Sequence, residues 1–405
     1  MRIALVSDIH FGKLSTTKEL ALNEDLETGT TENSKPLFGG LKEILRTETP
    51  DYLFIAGDLT STGSPLEFKY CYSKICQLAE HADVSMDRIV VCLGNHDVDW
   101  RITEIVDKYN PRPETAADTE YLQNIYREAA QTWSIQRDGF GNSVFTNFQY
   151  KHNTPLTGIR EFDDCIIFVL NSSHLCSNDQ VYKHGCLDTA QLEWLRTTAR
   201  NYAPTQKAKF ILLHHHPFNY PYPLIGLDIS TLEEGSELLQ LCGEVGIDLV
   251  LHGHRHHPNA KTKKENEWTK QVTFICSGSL SVNASHRLSG SIPNTFHLID
   301  YNNSDNIILK TYYYSPSNGW LLYNKSDDSV PVDGKMTLGK IVDDTDAIEL
   351  IRQFPIDQRI EYENLNGDLF YLSLNRLNNL VKQVFSADYE IYDEFPKAIR
   401  IVARP

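Results

Sequence analysis

The sequence predicts an α/β protein built around a parallel sheet. Short apolar runs alternate with segments whose apolar residues recur at helical spacing, and that alternation is the mark of parallel strands joined by crossover helices. The early runs each end in residues able to bind a metal, and ligand sites in such sheets lie beyond the carboxyl ends of the strands. A chain of 405 residues is also long enough for one large core plus an appendage.

The first strand is the apolar run 3–6, which leads into Asp8 and His10. In extended backbone, positions two apart share a side, so these two side chains could take one ligand. A hard oxygen beside a borderline nitrogen suits a divalent transition metal. Residues 11–36 are polar and read as a long loop at the mouth of a site. A helix is expected over 37–46. The second strand, 52–56, ends in Gly57-Asp58-Leu59-Thr60. Leu66, Tyr70, Ile75 and Leu78 mark the next helix, and the third strand, 88–93, ends in Gly94-Asn95-His96-Asp97.

Residues 100–160 break the alternation and read as a lid-like insertion, with a helix over 119–133 and a hairpin over 140–150. The strand 165–170 follows. Asp188 or Thr189 is the expected N-cap of a helix carrying Gln191, Leu192, Trp194 and Leu195. The strand 209–213 runs into His214, His215, His216 and Pro217. A helix over 232–245 leads to the strand 248–251, which ends in His252-Gly253-His254-Arg255-His256-His257. Runs 272–276, 296–301 and 307–314 are expected strands, the last alternating as an antiparallel strand does. Residues 324–335 form a polar linker. The main domain is therefore expected over 1–325. A small α+β appendage follows over 336–405, with a helix near 372–385 and short strands near Tyr389 and Ile399.

The formal net charge is −16, which repels nucleic-acid backbones over most of the surface but leaves room for a positive cleft around bound cations. No apolar run approaches the roughly 20 residues of a membrane span, and the first strand starts at once, without a signal peptide. A cytoplasmic protein is expected. None of the eight cysteines forms a C-x-x-C pair, which argues against a zinc ribbon or redox motif. Cys92, Cys165 and Cys276 fall in or beside strands and read as core residues.

Collected from the strand ends, the metal-competent residues are Asp8, His10, Asp58, Asn95, His96, the three consecutive histidines, His254 and His256. These are too many for one ion, because a transition metal takes about four to six ligands. Two ions sharing a carboxylate would use them. Asp58 is the expected bridge, since it lies mid-set and follows Gly57, where the backbone can approach closely.

In this order, D-x-H, G-D, G-N-H-D, H-H-P and G-H-x-H resemble the motifs of the calcineurin-like metallophosphoesterase superfamily. Here they read Asp8-Ile9-His10, Gly57-Asp58, Gly94-Asn95-His96-Asp97, His215-His216-Pro217 and Gly253-His254-Arg255-His256, over roughly residues 1–300. The resemblance implies a four-layer α-β-β-α sandwich of two mixed sheets. It implies two divalent transition-metal ions, Mn²⁺, Fe²⁺ or Zn²⁺. One would be held by Asp8, His10, Asp58 and His256, the other by Asp58, Asn95, His215 and His254. The family's ligand sits two residues before the proline, which selects His215 and leaves His214 as the alternative. His216 and His252 are read as packed or supporting residues, and His257 and His286 as solvated or, alternatively, touching substrate. Two such cations about 3.5–4 Å apart clamp a phosphate and activate a water. His96 is then the expected general acid for the leaving oxygen. Asp97 either orients the His96 ring or serves as a turn residue.

The second motif lacks the G-D-x-x-D-R-G form of Ser/Thr protein phosphatases. Together with Gly185-x-Leu187-Asp188-x-x-Gln191-Leu192-x-Trp194-Leu195, it is similar to class III cyclic-nucleotide phosphodiesterases and their relatives. The expected activity is hydrolysis of a phosphodiester of a nucleotide or other small molecule. A nuclease with the same metal core and a non-catalytic protein-binding module of the same fold are the alternatives. The stretch from Phe218 to Tyr222 is read either as a base-stacking cleft or as a braced loop. Arg101 and Arg255 are read as ordinary surface arginines, and a homo-oligomer is left open.

Overall fold

The computed structural model describes residues 1–22, 34–98, 157–173, 185–203, 205–219, 230–287, 292–323, 332–365, 367–394 and 397–404. The expected helix at 119–133, the hairpin at 140–150, Arg101, Tyr220 and Tyr222 lie outside them.

In chain order the main domain holds β1 (Arg2–Val6), α1 (Leu37–Glu48), β2 (Tyr52–Ala56), α2 (Pro65–Ala82), β3 (Ile89–Cys92), β4 (Gly158–Glu161) and β5 (Cys165–Val169). Next come α3 (Thr189–Asn201), β6 (Ala208–Leu212), α4 (Gly235–Val245), β7 (Leu249–His252), β8 (Asn259–Lys263) and β9 (Val272–Cys276). It closes with β10 (Thr295–Asn303), β11 (Asn306–Ser315), β12 (Gly319–Leu322) and β13 (Lys335–Leu338).

These strands make two mixed sheets. The first has the order β12-β11-β10-β1-β2-β3, with β13 beside β11. β1, β2 and β3 are parallel, while β10 runs antiparallel to β1. The second has the order β4-β5-β6-β7-β9-β8, with antiparallel strands at both edges. The parallel sheet expected from alternation is thus split in two, as the family resemblance implied.

Alternation along β5 shows how the layers stack. Cys165, Ile167 and Val169 join the cluster containing β1 and β2, whereas Ile166, Phe168 and Leu170 join a separate cluster with Leu192 and Leu195 of α3 and Leu238 and Leu241 of α4. β6 follows suit: Phe210 and Leu212 face the first sheet, Ile211 and Leu213 face the helices. Leu41 and Leu45 of α1 and Ile75 and Leu78 of α2 belong to the first cluster. The order is helices, sheet, sheet, helices.

Local chemistry sets the helix starts. Ser64 accepts from Glu67 N just before Pro65, and Asp188, not Thr189, accepts from Gln191 N at 2.7 Å. β4, β8, β12 and β13 were not expected. β8 and β12 are edge strands, and β13 pairs only with β11; strands so placed need no continuous apolar run. Because β13 pairs with β11, residues 335–338 belong to the first sheet, beyond the expected end of the main domain at 325. The appendage then carries α5 (Asp344–Ile351), β14 (Arg359–Glu361), α6 (Leu374–Phe385), β15 (Tyr389–Glu394) and β16 (Ala398–Ala403), with its own sheet, β14-β16-β15, and its own apolar cluster.

Candidate metal centre

The exits of β1, β2, β3, β6 and β7 meet in one place. Asp8, His10, Asp58, His254 and His256 all have positive φ, between 47° and 74°, and are five of the eight such non-glycine residues described. A left-handed side-chain-bearing residue costs of order 1 kcal/mol. Such strain persists where tertiary bonds hold it. Asp8 and His10 therefore converge through a left-handed turn, not through the alternation of a plain strand.

The first cluster comprises Asp8, His10, Asp58 and His256, whose ligand-type atoms all lie within 4.8 Å of one another. His10 Nε2 stands 3.4 Å from Asp58 Oδ2 and 3.9 Å from Asp8 Oδ1. His256 Nε2 stands 3.1 Å from Asp8 Oδ1 and 3.3 Å from His10 Nε2. His256 Nδ1 donates to the carbonyl of His286 at 3.1 Å, which turns the Nε2 lone pair inward. Asp8 Oδ2 accepts from His254 N at 3.1 Å, but the buried Oδ1 has no hydrogen-bond partner. Burial pushes the His10 pKa well below its ordinary value, so the ring is neutral. Asp8 Oδ1, Asp58 Oδ2 and the Nε2 atoms of His10 and His256 thus face one another. A divalent cation satisfies all of them, and the O/N donor set suits a transition metal.

The second cluster shares Asp58. His214 Nε2 lies 3.4 Å from Asp58 Oδ2 and 3.1 Å from Asn95 Oδ1. His254 Nδ1 lies 2.9 Å from Asn95 Oδ1 and 3.2 Å from His214 Nε2. His214 Nδ1 donates to Ala56 O at 2.7 Å. Burial pushes the Asp58 carboxyl up, but the surrounding imidazoles, His214 foremost, outweigh it and hold it well below the usual carboxylate range. Burial likewise pulls His214 down, and Asp58 more than reverses this, lifting it to about 9. The cluster favours positive charge.

His214, the alternative to His215, is thus the histidine whose Nε2 faces Asp58 and Asn95. The His215 ring packs against the His254 ring at 4.3 Å, with its Nδ1 2.9 Å from Ser172 Oγ. The reason is strand parity: His214 continues the face of Phe210 and Leu212, which looks toward the first sheet, and His215 continues the face of Leu213. Gly57 and Gly94 make the approach possible. A Cβ on Gly57, at φ +88°, would meet His214 Nδ1, and one on Gly94 would meet the Asp58 carboxylate.

His96 lies beside both clusters. Its backbone N donates to Asp58 Oδ1 at 2.8 Å, and its ring stands edge-on to His10 at 4.8 Å. Its Nδ1 donates to Ser61 O at 3.2 Å, which assigns Nε2 as the second ring nitrogen available to chemistry. The Asp97 carboxylate does not orient this ring. It accepts from Gly94 N, Leu59 N and Thr60 N at 2.9–3.1 Å and from the Thr60 hydroxyl at 3.0 Å. Asp97 is thus the turn residue, binding two ligand loops together. Burial, reinforced by Asp58, pushes its pKa up to about 7.

Other expectations change as well. His216 and His252 are fully buried beside the clusters, as read. His257 and Arg255 are each only 6% exposed, not solvated. His286 is exposed and enters the site through its carbonyl. Gln191 is buried, its Oε1 accepting from Thr157 Oγ1 at 2.7 Å and Asn171 N at 3.1 Å. Gln191 of the 185–195 pattern is therefore a packing residue, while Gly185 lies against the His215 ring. Ser61 went unnoticed in the sequence, because a serine in a polar loop carries no mark of the carbonyl it serves.

The calcineurin-like phosphoesterase family profile matches residues 1–258. The chain belongs to this family. Similar solved structures include a dimetal phosphatase from Danio rerio at 11% identity, covering 79% of this chain and 98% of that one, with a TM-score of 0.44. A purple acid phosphatase from yellow lupin is 14% identical over 79% of this chain and 52% of its own, with a TM-score of 0.45. A phosphoesterase from E. coli is 12% identical over 76% and 91%, with a TM-score of 0.28. No curated protein sequence matches the chain. No helix among the described residues is long and apolar enough to cross a membrane.

Proposed function

We propose that this family member is a binuclear metal-dependent phosphodiesterase acting on a nucleotide or another small diester. The observation that carries the reading is the pair of clusters joined by Asp58. Asp8, His10, Asp58 and His256 would hold one ion, and Asp58, Asn95, His214 and His254 the other. When bound, such a pair polarises phosphoryl oxygens and lowers the pKa of water between them. The protein's own groups do the rest. Asp58 sets the spacing of the two ions. His96 Nε2 would give the leaving oxygen its proton from the doubly protonated ring, Nδ1–H staying on Ser61 O; burial opposes that charge and the neighbouring Asp58 carboxylate favours it. The main-chain bond from His96 N to Asp58 Oδ1 keeps acid and bridge in register.

The preference for a diester is supported by the motif Gly57-Asp58-Leu59-Thr60, which lacks the acid and arginine of the protein phosphatases. Small substrates are favoured over nucleic acid by the net charge of −16. A cytoplasmic setting fits the free cysteines among the described residues.

The test is a hydrolysis panel with added Mn²⁺: a bis-ester, the matching mono-ester, cyclic nucleotides and single-stranded DNA. Cleavage of the bis-ester and cyclic nucleotides without the mono-ester supports the proposal. Mono-ester preference overturns the diester reading, and DNA cleavage with steep salt dependence moves the assignment to a nuclease. Two bound ions with no hydrolysis would make the chain a binding module.

A further inference from the structure

The segment after β9 reads Ser277-Gly278-Ser279-Leu280-Ser281. The three serines are fully buried, and Gly278 between the first two is left-handed at φ +75°. Each hydroxyl goes to a main-chain carbonyl of β1 or its exit. Ser277 Oγ donates to Leu5 O at 3.2 Å, Ser279 Oγ to Asp8 O at 3.1 Å, and Ser281 Oγ to Ile9 O. Between them, Leu280 N donates to Ser7 O at 2.9 Å and Ser281 N to Asp8 O at 3.4 Å.

The opposite edge of the same turn is tied to the β2 exit. Asp8 N donates to Gly57 O at 3.0 Å, and His10 N to Asp58 O at 2.9 Å. The Ser61 hydroxyl takes His10 O at 2.9 Å. Asp8 and His10 need this double support because both are left-handed, at φ 52° and 47°. A regular ladder pairs extended residues, and it cannot hold two left-handed residues out of three. Side-chain hydroxyls can, because they reach carbonyls that have swung out of ladder geometry.

The same strap continues to the other side of the first cluster. Asn283 N donates to Leu14 O at 2.8 Å, and His286 O accepts from His256 Nδ1 at 3.1 Å. One stretch, 277–286, thus braces the backbone that aims Asp8 and His10 and the ring of His256. Among the described residues, none of the three hydroxyls meets Asn95, His214 or His254. The second cluster meets this braced turn through the bond from His254 N to Asp8 Oδ2 at 3.1 Å and through the shared Asp58.

We infer that Ser279 and Ser281 are positioning residues for the first cation alone. They act through the left-handed turn and touch no ligand atom. The inference rests on the two-ion reading above, and its test separates the two.

The whole chain and its Ser279→Ala/Ser281→Ala variant are titrated with Mn²⁺, with occupancy followed by electron paramagnetic resonance. Neighbouring Mn²⁺ ions couple, whereas a lone ion gives an uncoupled hyperfine signal. Wild type should fill both positions and give the coupled spectrum. The variant should bind one ion as wild type does and the other about 10- to 100-fold more weakly, the scale of lost supporting contacts around a metal. At loadings that couple the pair in wild type, it should show the lone-ion signal. Ser279→Ala alone should move the same way by less, and it replaces the double variant if circular dichroism shows that variant unfolded. Equal weakening at both positions, or unchanged affinities, overturns the inference while leaving the two-ion reading intact. A wild type that never gives a coupled pair overturns both.

Discussion

Asp97 reaches from the β3 exit to Thr60 at the β2 exit, taking its backbone N–H at 2.9 Å and its hydroxyl at 3.0 Å. One carboxylate thereby sets the distance between the loops that carry Asp58 and Asn95. Asp97→Asn keeps the shape but puts an NH₂ where N–H groups point. We expect a loss of about 2–3 kcal/mol of stability, the scale of a buried donor left unmade, read by urea titration. A midpoint equal to wild type would show that the loops hold their spacing without it.

The second cluster distinguishes adjacent histidines. His214→Ala should leave the protein with close to one bound ion where wild type holds two, because His214 Nε2 faces both Asp58 and Asn95. His215→Ala should keep both, since that ring pairs with Ser172. Metal content by mass spectrometry after dialysis decides, and the reverse result would return the ligand role to His215.

His96 is expected to act on the proton and not on the metal. His96→Ala should lower kcat by about 100- to 10,000-fold with metal content unchanged. Parallel loss of metal and rate would instead mean that the ring holds the clusters together.

His297 supplies a pH dependence away from the clusters. It is fully buried on β10, its Nε2 donates to Cys276 O at 2.9 Å, and burial pushes its pKa down to about 4. The unfolded chain keeps the ordinary value near 6.5, so it binds the extra proton first as the pH falls. Stability from this group is complete above about pH 6.5 and is lost as the pH drops toward 4. The gap corresponds to about 3 kcal/mol. Urea titrations of wild type and His297→Gln across that range should converge by this amount at the acid end. Parallel curves would place the acid sensitivity elsewhere.

Much of the main domain was legible because its central strands are covered on both faces. The runs at β2, β5, β6 and β9, and β1 after Arg2, are apolar or nearly so and are buried throughout. β8, Asn-Ala-Lys-Thr-Lys from Asn259 to Lys263, lies at an edge and shows no such run. The ligand types were legible too, since carboxylates and imidazoles recur at the strand exits. The supports were not, because the hydroxyls of Ser61, Ser279 and Ser281 and the His286 carbonyl look like any loop chemistry until the loops meet.

From the chain alone came the α/β class, the strand exits as the place of chemistry, and Asp58 as the residue between two groups of ligands. The tertiary structure alone brought His214 Nε2 to Asp58 and Asn95, and the Asp97 carboxylate to the backbone of Gly94, Leu59 and Thr60. The reason lies in the sheet itself. A strand with apolar neighbours on both sides carries no sign of which face looks inward. The parity of the residues that follow it is therefore decided only when the second sheet packs against the first.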